Sequence, residues 1–157
     1  MNRRPQKRFA PHQRGFSMIE VLVALLVLAF GLLGLALMQT VNLRYTHSAQ
    51  QRTLAVNLAS ELLDTMRANR SQVAAYAMGE SDFAAVDASG GCETYASTSA
   101  ARNVERWQCE VREALGAGSH AEVDVTNAPE VTITVVWAEN ETQNLSGGGR
   151  IELETTL

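Results

Sequence analysis

From Val21 to Met38 the chain runs for eighteen residues without a charge or a polar side chain, and Phe16 and Ile19 extend this run toward the N-terminus. At a rise of about 1.5 Å per residue, some 20 helical residues span a bilayer's hydrocarbon core. Twelve Leu, Val and Phe residues lie between positions 21 and 37. At roughly −0.3 to −0.6 kcal/mol each they contribute about −4 to −7 kcal/mol toward insertion, against about +2.5 to +3.5 for one acid at the helix centre and less near an end. The run is therefore predicted to insert although Glu20 stands at its start. After Met38 the pattern turns amphipathic. Leu54, Leu58, Leu62 and Met66 recur at i+4 beside Ala55, Ala59 and Leu63, while Gln50, Gln51, Arg52, Asn57, Glu61 and Asp64 fill the other face. No proline occurs between Pro11 and Pro129, so nothing forces a break. The pattern predicts one helix from about Phe16 to about Ala77, roughly 90 Å long. Gly31 and Gly34, each about 1 kcal/mol less helix-favouring than Ala, are its expected points of bending.

The residues from 79 to 100 are rich in Gly, Ser, Asp and Ala without a sustained period and read as a loop. A short helix is predicted over 101–115, with Val104, Trp107, Val111 and Leu115 on one face and Gly116 and Gly118 as stops. This spacing marks Trp107 as a core aromatic rather than a ligand-stacking one. The C-terminal third alternates at period two in 121–126, 131–138 and 150–157, which predicts three strands. Val123 and Val125 share a face, as do Val131, Ile133, Val135 and Trp137, and then Ile151, Leu153 and Thr155; Asp124, Thr132, Thr134, Glu152 and Glu154 lie opposite. Asn127 and Pro129 mark the first turn, and 140–149, ending in three glycines, is expected to form a second, mobile one. One apolar sheet face packed on the second half of the long helix gives a single α+β domain.

Charge adds orientation to this picture. Of the 13 Lys and Arg and 17 Asp and Glu, five bases and no acid fall in residues 1–15, so the formal net charge of −4 joins a basic tail to an acidic body. An acidic body argues against nucleic-acid binding, which needs clustered cations against phosphates. A basic segment directly before an apolar run is a topology signal that keeps the tail in the cytoplasm and sends the remainder across the membrane.

Three readings of the N-terminus compete. A secretory signal would have Gly34-Leu35-Ala36 as its small-x-small cleavage site, but the run is long for such a signal and no polar segment precedes that site. A plain signal anchor leaves Glu20 unexplained. The third takes "GFSMIE" (15–20), its basic leader and the apolar run together; this unit resembles the class III signal of type IV prepilins. No lipoprotein cysteine follows the run. The resemblance implies that prepilin peptidase cuts between Gly15 and Phe16 on the cytoplasmic side and that the new Phe16 amine is methylated. Cleavage before the run leaves the helix in the mature chain. The resemblance also implies that Glu20 meets the N-terminal amine of a neighbouring subunit and so sets register, a role compatible with the tolerance of paired charges in apolar surroundings. Pairing with the Phe16 amine of the same chain, one turn away, is the rival role, and a carboxylate snorkelling to the interface is the third. The major subunits of the family often carry a proline in the apolar half, which this chain lacks.

Cys92 and Cys109 fall in the part placed outside the cytoplasm, where an even count reads as a disulfide. In the loop-entropy model such a closure contributes about 3 kcal/mol. No Cys-x-x-Cys or His cluster suggests a metal site. No catalytic or phosphate-binding motif is present, His12, His47 and His120 are scattered, and Glu110 and Glu113 are expected on a solvated face. Neither catalysis nor a cofactor is expected. The sequons at Asn69, Asn140 and Asn144 carry little weight behind a bacterial leader.

Beyond the signal, "MRANR" (66–70), the helix carrying Trp107 and "VTITVVWAE" (131–139) extend the resemblance to the PilV family of minor pilins, the type IV pilus modification proteins. The resemblance implies a pilin-like fold with a leader over 1–15, a membrane and filament-core half of the helix over 16–38, an amphipathic half over 39–78 and a periplasmic globular part over 79–157. It implies residence in the inner membrane of a Gram-negative bacterium and then in the pilus, and partners in other minor pilins, the major pilin, prepilin peptidase, the inner-membrane assembly platform and membrane lipid. The expected function is priming of pilus assembly. A pseudopilin of type II secretion, or a secreted or anchored binding domain with a conventional signal, are the alternatives.

Overall fold

The computed structural model describes residues 15–92, 97–126, 129–138 and 148–157. The basic leader through Arg14, Asn127 of the first turn and most of the 140–149 turn lie outside the described residues.

Helix α1 runs uninterrupted over Met18–Ala68, through both Gly31 and Gly34. It crosses between two compact units, one ending at Leu43 and the other spanning Arg44–Leu157. In the first unit the helix has no buried face: the apolar window is wholly exposed, with Leu22, Val27 and Leu33 between 64% and 67% accessible. In the second unit the i+4 series becomes a packed stripe, and Ala55, Leu58, Ala59, Leu62, Leu63 and Met66 are buried.

The helix ends nine residues before the predicted Ala77. Asn69 leaves helical geometry (φ −116°, ψ 44°), and a 3-10 segment over Arg70–Tyr76, itself kinked at Gln72, follows. The cause is tertiary. The Asn69 side-chain amide donates to the Tyr76 hydroxyl (3.0 Å), which also accepts from Asn103 (3.2 Å), and Tyr76 is fully buried. An uninterrupted helix would not fold Tyr76 back toward Asn69. The chain beyond is then held by Met78, which exchanges two backbone hydrogen bonds with Val123 (3.3 and 2.9 Å). The expected loop holds one further 3-10 turn, Glu80–Phe83, whose Phe83 is fully buried.

Helix α2 covers Ala100–Leu115. Trp107, Val111 and Leu115 of the predicted stripe are buried, and Val104 is half-buried. Trp107 donates from its indole nitrogen to the Leu58 carbonyl (2.8 Å), which ties α2 to α1. Gly116, at φ 98°, ends the helix, and the buried Ser119 hydroxyl lies within hydrogen-bond reach of the carbonyls of Val111 (3.1 Å) and Gly116 (2.7 Å), which fastens the turn after α2 to the end of the helix.

Strands β1 (His120–Asp124), β2 (Glu130–Trp137) and β3 (Gly149–Thr156) form an antiparallel sheet in the order β1-β2-β3. Register aligns Val123 with Ile133 and Ile133 with Leu153, so the inward side chains form continuous apolar rows. With the stripes of α1 and α2 they make one core. The architecture is α+β: a long N-terminal helix with a small three-stranded antiparallel sheet.

Trp137 pairs across the ladder with Gly149, and its indole lies over that glycine. A Cβ added at Gly149 would stand 2.0 Å from Trp137 Cε2, whereas one added at Gly79 would meet nothing within 4 Å. Gly149→Ala is expected to lower stability by about 1–3 kcal/mol through overpacking, and Gly79→Ala to change it by far less. Thermal unfolding of the two variants checks this, and equal melting temperatures would contradict it.

Candidate functional site: the N-terminal segment and its anchor

Gly15, Phe16 and Ser17 precede the helix, which begins at Met18 rather than at Phe16. The Ser17 carbonyl accepts from Val21 N (3.3 Å) and from Glu20 N (3.0 Å), so Ser17 stands at the N-cap. Ser17-Met18-Ile19-Glu20 also has the spacing of a capping box, serine followed three residues later by glutamate. That signal is local and readable, and it identifies Ser17 as a helix-start residue that the hydrophobic pattern alone passed over. Glu20 falls in the first turn of α1, where a negative charge interacts favourably with the helix dipole. Phe16 is 85% accessible, and Glu20 is exposed. The structure thus presents the Gly15–Phe16 bond in non-helical backbone, a carboxylate one turn further on, and an apolar helix that is exposed among the described residues. Such a helix is incompatible with water over this length and needs lipid or other helices around it.

In the second unit Cys92 and Cys109 form a disulfide, with Cα atoms 5.7 Å apart. It ties the segment after Phe83 to α2. The Arg112 guanidinium adds a hydrogen bond to the Phe83 carbonyl (2.6 Å).

Among the described residues no group of three or more His, Cys, Asp or Glu is placed to hold a metal ion. The nearest approach to a charged cluster is Glu61–Arg106–Glu110. Arg106 lies 3.3 Å from Glu61 and 3.8 Å from Glu110, joining α1 to α2. Glu110 departs from the expected solvated face: its side chain is 21% accessible, and Oε2 is enclosed without a hydrogen-bond partner. Glu110 lies off the apolar row, as the helical period predicts, but Arg106 and α1 cover it. Burial raises its pKa above the usual 4.5, the neighbouring charges of Glu61 and Glu113 raise it further, and Arg106 opposes them. A carboxyl with a raised folded-state pKa stabilises the fold where it is protonated, and that contribution is lost as pH rises through the folded value. Glu110→Gln is therefore expected to raise the melting temperature at pH 7 and to leave it unchanged near pH 3, where both states carry a protonated acid. A gain of equal size at both pH values would contradict this.

A family model described as "Prokaryotic N-terminal methylation motif" matches residues 11–36. The match spans the end of the leader, Gly15, Phe16, Glu20 and most of the apolar run, and it supports a type IV pilin-like protein, membrane-anchored, processed by prepilin peptidase and assembling with other pilins. No curated protein and no solved structure matches the chain.

Proposed function

We propose that this chain is a minor pilin that helps to prime type IV pilus assembly. The observation that carries the reading is the coincidence, in one segment, of the methylation motif over residues 11–36 with a helix whose apolar stretch is exposed among the described residues. A removable signal would not need to survive in the mature protein. Here the predicted cut at Gly15–Phe16 precedes the helix, so the anchor is retained and becomes available for packing against other pilin helices.

In this reading the basic leader holds the N-terminus in the cytoplasm, and the second unit, with its disulfide, faces the periplasm, where disulfides persist. Glu20 pairs with the methylated Phe16 amine of an adjacent subunit. Each incoming helix brings one amine and one acid, and pairing them between chains fixes the axial register, as a buried polar residue fixes register in a coiled coil. The chemistry is packing and ion pairing, with no reaction performed on a substrate. The likeness of residues 66–70 and 131–139 to the PilV family supports minor pilin over pseudopilin.

The test is the composition of sheared surface filaments. A minor pilin is expected there at a small fraction of the major subunit, and its deletion is expected to reduce pilus number. Absence from filaments, together with normal piliation and lost protein secretion in the deletion strain, would assign it to type II secretion instead.

A further inference from the structure

We propose that Arg44 and Tyr45 form a collar that binds the anionic headgroups of phospholipids at the membrane surface where the helix emerges. The inference rests on the membrane-anchored reading above. From Val21 to Ser60 the sequence contains no Asp or Glu, and its only Lys or Arg are Arg44 and Arg52. Among the described residues neither arginine pairs with a carboxylate. Both are exposed, and Tyr45 is 63% accessible, without the burial that its ring would gain in a core.

Helix geometry separates the two arginines. Arg44 lies six residues past the end of the apolar run and Arg52 fourteen past it, on the one continuous helix α1. At about 1.5 Å per residue these are roughly 9 and 21 Å along the axis. The headgroup layer on each side of the hydrocarbon is about 5–8 Å thick. In a helix every Cα–Cβ bond tilts toward the N-terminus. The N-terminal end of α1 is the membrane end, so the side chains of Arg44 and Tyr45 lean back toward the bilayer. A long guanidinium side chain covers the remaining distance by snorkelling, and a tyrosine ring with its hydroxyl suits the same boundary between apolar and wet surroundings. Arg52 stands beyond contact and senses the surface only through the screened field.

The phosphate of an anionic lipid is the ligand this pair fits, because its charge lies at the height that Arg44 reaches and no choline cation beside it neutralises it. The collar also gives the helix a depth marker on its far side. Once the leader and its five cations are removed, Arg44 and Tyr45 are the nearest interfacial anchors remaining.

The full chain is reconstituted in vesicles of phosphatidylcholine and phosphatidylglycerol in equal amounts, and the lipid retained on the released protein is measured by native mass spectrometry. The wild type is expected to retain phosphatidylglycerol preferentially. Arg44→Gln is expected to reduce that preference about five-fold, the effect of one basic residue near an anionic surface. Arg52→Gln, equally exposed, is expected to leave it nearly unchanged. Equal preference in wild type and Arg44→Gln, or equal losses in the two variants, would overturn the proposal. Complete displacement of the lipid by inorganic phosphate would also overturn it, since the site would then bind phosphate without the membrane. The measurement requires no filament, so failure of the pilin reading, seen as a mature N-terminus other than Phe16, is distinguishable from failure of the collar.

Discussion

Glu20→Ala is expected to enter the membrane as well as the wild type and to fall out of sheared filaments by about a hundred-fold or more. Insertion does not suffer, because the substitution removes the one acid that opposes it. Under the proposed pairing, assembly suffers because each Phe16 amine entering the filament core loses its counter-charge. Removing one partner of a buried ion pair costs about 3–5 kcal/mol, chiefly through the charge left behind, and each 1.4 kcal/mol is about ten-fold in an equilibrium. Immunoblots of membrane and filament fractions from the same culture measure both quantities. Normal incorporation would remove the pairing role and leave Glu20 as a carboxylate that snorkels to the surface. A loss from both fractions would make it an insertion or stability residue.

Trp107→Ala is expected to have the largest effect on the second unit. The residue is 1% accessible, its indole nitrogen donates to the Leu58 carbonyl at 2.8 Å, and its ring meets Phe83 edge-on at 6.5 Å. Truncation removes the filler of the space between α1, α2 and the Phe83 turn. A buried tryptophan cut to alanine costs about 3–5 kcal/mol, which for a unit of this size lowers the melting temperature by roughly 10–20 °C. Trp107→Phe keeps most of the buried ring but loses the donor and part of the indole, so its cost is smaller, about 1–3 kcal/mol. A melting temperature within a few degrees of wild type for Trp107→Ala would show that α2 is not secured through this contact.

These two residues illustrate what the sequence reveals and what it does not. Trp107 was legible as core because it lies in the Val104–Leu115 stripe, and a period of 3.6 is a property of the chain alone. The inward positions of β2 were legible for the same reason at period two, and Val131, Ile133, Val135 and Trp137 are all buried. The segment from Gly15 to Glu20 was legible because its signal is a short linear pattern followed by an apolar run. What escaped depends on partners distant in sequence. The end of α1 is set by the Tyr76 hydroxyl, which Asn69 and Asn103 reach from positions 7 and 27 residues away. Helix propensity and the lack of proline give no hint of it. Glu110 looked solvated by its place off the stripe, yet Arg106 joins it to Glu61 across the helix pair. Gly149 looked like one of three loop glycines, and only the ladder pairing with Trp137 shows why a side chain is excluded there.

Whether the apolar helix is retained as an anchor that later packs in a filament is decided by the mature N-terminus. Intact-mass and N-terminal peptide measurements on protein from the membrane fraction are predicted to give a chain beginning at Phe16, with its amine methylated. A chain beginning at Leu37, with the apolar run removed, would contradict the account.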